Sequence, residues 1–231
     1  MNERPILGGP LAYGSHGIER RLRLIRRFTD LRGHRGLDVG CGNGSYTVQI
    51  AQGVDEMHGI DVEPDRLSQV PAHIQTRVIS AERMDYPDGY FDLVTCIEVL
   101  EHVEDVQQTL EQIHRVLRPG GTFAFTVPNR LFPFETHEVT LLGRTVSGKF
   151  IPMLSWVPPL HRRVAHARLF TDKQIRSRLH RAGFREVATT WMMPPLDGMP
   201  GGKHLRRVGD FLERTPLVRF GVSIVGVWQK V

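Results

Sequence analysis

Three groups of residues have the types and spacing of working chemistry. The tract 37–45 (LDVGCGNGS) brings Gly40, Gly42 and Gly44 together directly after an apolar run. Glycine there tolerates positive φ and lets backbone approach a ligand closely. Asp38 precedes the turn and Asp61 ends the next apolar run, where a carboxylate can accept both hydroxyls of a ribose. The second group is Glu98-x-x-Glu101-His102. If the segment is helical, positions i, i+3 and i+4 share one face, and two carboxylates with an imidazole form a hard-metal site. The alternative is a histidine that only packs or caps. The third group is Pro133-Phe134-Glu135-Thr136-His137. His137 has the chemistry of a general base near neutral pH, with Glu135 orienting it or a neighbour. The alternative is a surface-loop histidine, and His102 and His166 compete for the same role.

These groups need elements to hold them. Ile18, Leu22, Ile25 and Phe28 recur at helical spacing among arginines, which predicts a basic amphipathic helix over 18–32. The short apolar run at 36–40 reads as a buried strand, and 57–62, 76–80, 91–99 and 121–128 read as further strands. Between them, 45–52 and a segment opened by Pro64 read as helices. Val103, Val106, Leu110, Ile113 and Leu117 mark a helix that stops at Pro119-Gly120-Gly121. Thr171 and Gln174 form a capping box, opening a helix that ends at Gly183. A short helix around Leu205, Val208 and Phe211 lies between last strands at 185–193 and 222–231. Alternating strands and helices predict an α/β fold with a mostly parallel sheet and an antiparallel final strand. Ligands of such sheets sit at the carboxyl ends of the strands.

Residues 129–168 break the periodicity. They hold prolines, Phe132, Phe134, Leu141, Leu142, Phe150, Met153, Leu154, Trp156 and Leu160, with Arg144, Lys149, Arg162, Arg163 and Arg168. Connections this long are usually functional, so the segment reads as a lid with weak helices over an acceptor pocket. A core-packing extension or a dimer contact is the competing reading.

The glycine turn, Asp61, PDGYFDLVTCIEVLEHVED (87–105) and HRVLRPGG (114–121) together resemble the class I S-adenosylmethionine-dependent methyltransferases. Within that class they are similar to the type 11, ubiquinone-biosynthesis-like group. The resemblance runs from 36 to 126 and resumes at 166–184. It implies a Rossmann-like seven-stranded sheet with helices on both faces and a lid insertion. It also implies S-adenosylmethionine as cofactor, held by Asp38, Gly40, Cys41, Gly42, Gly44, Asp61, Val62, Ala81, Glu82 and Ile97. Asp38 would orient the loop and the cofactor amino group. Ser80 stands where relatives carry an Asp that reads adenine. Metal-dependent relatives add a histidine in a His-x4-Thr arrangement, which implies a Glu98, Glu101, His102, His166 set for Mg2+ or another divalent ion. Relatives also close an N-terminal segment over the cofactor, which nominates Tyr13, Ser15 and His16.

The implied organisation is one domain over 1–231: a helical cap (1–35), a cofactor core (36–128), the lid (129–168) and the rest of the sheet (169–231). The implied activity is O-methylation of a small amphipathic or anionic metabolite. An RNA 2′-O-methyltransferase using a metal, and a non-catalytic cofactor-binding protein, are the alternatives. No RNA-binding module is recognisable. Cys41 and Cys96 are too few for a disulfide framework, and no signal peptide or 18-residue apolar span is visible, so a cytoplasmic protein is expected. Charge is segregated. Residues 36–140 carry six basic and seventeen acidic side chains, whereas 141–231 carry sixteen basic and five acidic. That division suits a cationic donor on one side and an anionic acceptor, or the anionic surface of a membrane, on the other.

Overall fold

The computed structural model describes residues 15–141, 143–148, 151–194 and 211–231, with side chains from residue 17 onward. Tyr13, the side chains of Ser15 and His16, Leu142, Lys149, Phe150, Leu205 and Val208 lie outside the described residues.

Seven strands form one sheet: β1 (Gly33–Val39), β2 (Val54–Asp61), β3 (Gln75–Val78), β4 (Phe91–Ile97), β5 (Leu117–Pro128), β8 (Phe184–Met192) and β9 (Ser223–Lys230). Their order is β3-β2-β1-β4-β5-β9-β8. Strands β3, β2, β1, β4 and β5 are parallel, while β9 runs antiparallel to both β5 and β8. This is the expected doubly wound sheet, with its direction switch between β1 and β4.

The central strands β1, β4, β5 and β9 are buried over most of their length on both faces and therefore read as apolar runs, whereas the edge strand β3 is largely exposed. On one face Phe91, Val94, Phe123, Phe125, Ile224 and Trp228 pack under α4 (Val106–Val116) and α6 (Asp172–Arg181). On the other, Leu93, Ala124, Val225 and Val227 pack under α1 (Ser15–Ile25) and Ile50 of α2 (Thr47–Ala51). The capping box forms as expected, with the Gln174 amide N–H donating to Thr171 Oγ1 and the Thr171 N–H donating to Gln174 Oε1.

Three expectations need correction. Helix α1 ends at Ile25, short of residue 32, and Leu31 takes a left-handed φ of 50°. The helix expected from Val103 begins at Val106, because the Asp105 carboxylate accepts from the amides of Gln107 and Gln108 and fixes the N-terminus there. The lid is not merely weakly helical. It contains an antiparallel hairpin, β6 (Glu138–Leu141) with β7 (Arg144–Ser147), then a 3-10 turn at Leu154–Trp156 and α5 (Pro158–Val164). Elsewhere the short α3 (Pro64–Leu67) follows β2.

Candidate functional site

A cavity of about 690 Å³ opens at the carboxyl ends of the parallel strands, lined among others by Gly40, Asp61, Ala81, Glu82, Glu98 and His102. Gly40 has φ +71°, and a Cβ there would fall 2.3 Å from a methyl of Val99, so only glycine fits between the turn and the loop after β4. Asp61 is held from both sides: Oδ2 accepts from the Gly42 amide at 2.8 Å and Oδ1 from the Glu63 amide at 3.0 Å. Val62 also lines the cavity. The Glu82 carboxylate receives Ser80 Oγ on one oxygen and the Glu104 amide, at 2.9 Å, on the other. Ser80 thus clamps the acid beside it instead of supplying one.

The remaining expected cofactor residues stand behind the cavity wall. Asp38 is buried, and its oxygens accept from Thr47 Oγ1 and Thr95 Oγ1 at 2.7 Å each. It anchors the glycine turn to α2 and β4, which is the loop-orienting half of what was expected of it. Burial raises its pKa to about 6 against the pull of the two hydroxyls. Cys41 packs against Gly59, and Ile97 belongs to the core. Gly44, with φ +82°, shapes the turn beneath Val70. Both cysteines are buried and free, and burial pushes the Cys41 thiol up, so neither is a nucleophile.

The expected metal set does not assemble. Glu98 has a left-handed φ of 55°, which turns the chain out of a helical path, so 98–104 forms successive turns and the shared-face argument fails. The Glu98 carboxylate accepts from Thr126 Oγ1 at 2.8 Å and pairs with Arg21 of α1 at 3.4 Å. His166 instead meets Thr140 Oγ1 through Nε2 at 2.7 Å. The group that does converge, among the described residues, is Glu101, His102 and His137, with donor atoms within 4.8 Å of one another.

That convergence brings two sequence candidates to one place. The His102 and His137 rings lie 5.4 Å apart, and His102 lines the cavity. Glu101 Oε1 lies 4.0 Å from His102 Nε2 and 3.9 Å from His137 Nε2. Both Glu101 oxygens are buried without a hydrogen-bond donor. Burial, then the charge of Glu98, holds this carboxyl well above the usual range. Burial and the nearby His137 lower the His102 pKa to about 4, so its ring is neutral at pH 7. Glu135 sits behind His137, with Oε1 3.1 Å from Nδ1, and its other oxygen meets His161 of α5. Sequence reasoning missed His161, which lies 26 residues from Glu135 and shares no local spacing with it. The basic N-terminal helix also turns two arginines inward: Arg21 toward Tyr46 and Glu98, and Arg20 toward Glu213.

The site fits S-adenosylmethionine by these features of the chain: a turn of three positive-φ glycines in which Gly40 has no room for a Cβ, an oriented carboxylate at the end of β2, and an acidic lining suited to a cation. Comparisons with known proteins agree. The methyltransferase domain family matches residues 13–189. The ubiquinone biosynthesis O-methyltransferase of Methylococcus capsulatus is 38% identical over 140 residues, 57% of this chain and 58% of that protein. Its counterpart from Aromatoleum aromaticum is 33% identical over 143 residues, 57% and 59% respectively. The chain thus matches a little over half the length of these relatives. A solved S-adenosylmethionine-dependent methyltransferase from Mesorhizobium loti superposes with a TM-score of 0.65 at 20% identity, covering 94% of this chain and all of that one. A phosphoethanolamine N-methyltransferase of Haemonchus contortus, in complex with S-adenosylhomocysteine, superposes at 0.62 and 19% identity, covering 95% of this chain and 58% of that one. Sheet order, glycine cradle and family match converge on one conclusion: the chain belongs to the class I S-adenosylmethionine-dependent methyltransferases.

Proposed function

We propose that this protein methylates a hydroxyl oxygen of a small amphipathic, anionic acceptor, with His137 as general base. The observation that carries this is the approach of His137, braced by Glu135, to His102 on the wall of the cofactor cavity. When bound, S-adenosylmethionine supplies a methyl group already activated on a sulfonium. The protein therefore has to align the acceptor and remove its proton. Gly40, Asp61, Val62, Ala81 and Glu82 would hold the cofactor, and Asp61, Glu82, Glu98, Glu104 and Asp105 make the lining predominantly acidic.

The lid supports the acceptor class. Leu131, Phe134, Met153, Trp156, Val157 and Leu160 are exposed there, with Arg162 and Arg163 exposed on α5 beside them. Of the four residues expected for a metal, Glu98 and His166 turn to other partners, while Glu101 and His102 gather with His137; the proton transfer is assigned to His137 and no step is drawn through an ion. The names of the ubiquinone-biosynthesis relatives favour oxygen as the methylated atom. The test is transfer from S-adenosylmethionine to matched amphipaths bearing a ring hydroxyl, an amine or a carboxylate, and to a short RNA, read by mass spectrometry. Methyl on the hydroxyl oxygen supports the reading. Methyl only on the amine or on RNA, or on none of them, overturns it.

A further inference from the structure

Glu135 is a wholly buried carboxylate that serves two imidazoles. Its Oε1 accepts from the backbone amides of Thr136 and His137 at 2.8 and 2.9 Å and faces His137 Nδ1 at 3.1 Å. Its Oε2 faces His161 Nε2 at 2.5 Å, and His161 is itself buried. Gly148, leaving the hairpin, closes the pocket from above. A Cβ there would lie 2.4 Å from Glu135 Cγ and 2.5 Å from the His137 carbonyl oxygen. His161 reaches in from α5, whose helical path Pro158 and Pro159 start, and the Val139–Ala165 bridge ties that helix to the hairpin.

Burial alone would push the Glu135 carboxyl up, but the bonds from His137 and His161 outweigh it and hold the pKa at about 2. An ionised carboxylate only accepts hydrogen bonds, so both ring nitrogens facing it must donate. The neutral His137 ring is then the Nδ1–H tautomer, and its Nε2 lone pair points to the side of Glu101 and His102. Removing His161 would leave Glu135 Oε2 buried with no donor, a costly state that protonation relieves. A protonated Glu135 would donate to Nδ1 and reverse the tautomer.

We propose that His161 is a positioning residue: from the lid helix it holds Glu135 so that His137 presents a bare Nε2 to the acceptor. The inference rests on His137 being the base, and it couples lid docking to readiness for proton removal.

The test is the tautomeric state of His137 in the full chain, read from long-range proton–nitrogen NMR spectra at a pH where the ring is neutral. His161→Gln keeps an N–H at the same reach, and His161→Phe keeps the volume without a donor. Wild type and His161→Gln are expected to show pyrrole-type Nδ1 and pyridine-type Nε2. In His161→Phe the two shifts should exchange or average. A wild-type pattern in His161→Phe, or equal loss in both variants, overturns the proposal. If His161→Phe does not fold, His161→Asn decides, because its donor falls short of Glu135: it should lose the pattern, and retention overturns the proposal. Full methyl transfer by His137→Ala would remove the base reading and leave these spectra standing, so the two ideas fail separately.

Discussion

Asp38 is a carboxyl group without solvent, between two threonine hydroxyls, at the point where β1 becomes the glycine turn. Its pKa of about 6 lies above the value of about 4 it would have unfolded, so between those limits the folded state binds the extra proton. Its contribution to stability therefore falls as pH rises through that window, by about 3 kcal/mol. Asp38→Asn should flatten that part of the stability curve in urea unfolding across pH 4 to 6; an unchanged curve would contradict the assignment. Asp61 gives the matching test of binding. A charge-assisted bond contributes roughly 1.5–3 kcal/mol, so Asp61→Ala should weaken S-adenosylhomocysteine binding by about tenfold or more in calorimetry. These two residues, Gly40 and the neighbours of Glu135 were legible because each sits close in sequence to a turn or to a partner. His161 was not, since what selects it is a carboxylate contact made across the folded lid.

The central parallel strands β1, β4 and β5 and helix α4 were readable from apolar runs and 3,4 spacing, because burial on both faces leaves those strands little room for polar residues. The loop 98–104 was misread because the Glu-x-x-Glu-His spacing fits a helix, and nothing local announces that Glu98 turns left-handed. Asp105 is the visible counter-signal, a cap residue placed directly before the apolar face. Asp105→Ala should cost about 1–2 kcal/mol in chemical denaturation, since two amide donors at the start of α4 lose their acceptor. The hairpin was also announced, by β-branched Val139, Thr140, Thr145 and Val146 flanking Gly143, a pattern masked by the prolines and aromatics around it. Gly143 has φ +75°, so Gly143→Val should destabilise the hairpin by about 1–2 kcal/mol, read as faster proteolysis within the lid.

For the whole molecule, the segregated charge takes on a physical arrangement. The acidic stretch lines the cavity at the carboxyl ends of the strands, and the basic stretch reaches it through residues 129–168, where Arg168 binds the carbonyls of Val103 and Glu104. The arginines of α1 are partly spent inside the protein, so the N-terminal helix is less of a basic surface than its composition suggests. No helix among the described residues is long and apolar enough to cross a membrane. With Glu98 and His166 turned to other partners, His137 braced by Glu135 is the group assigned to remove the proton, and the Glu101, His102 and His137 cluster makes metal removal the discriminating test. Turnover should then survive EDTA, and a loss restored by Mg2+ would argue against the base. The most direct measurement is kcat for His137→Ala on the accepted hydroxyl substrate, at saturating S-adenosylmethionine. A fall of about 100-fold or more with unchanged S-adenosylhomocysteine affinity is expected; wild-type kcat in that variant would show that His137 is not the base.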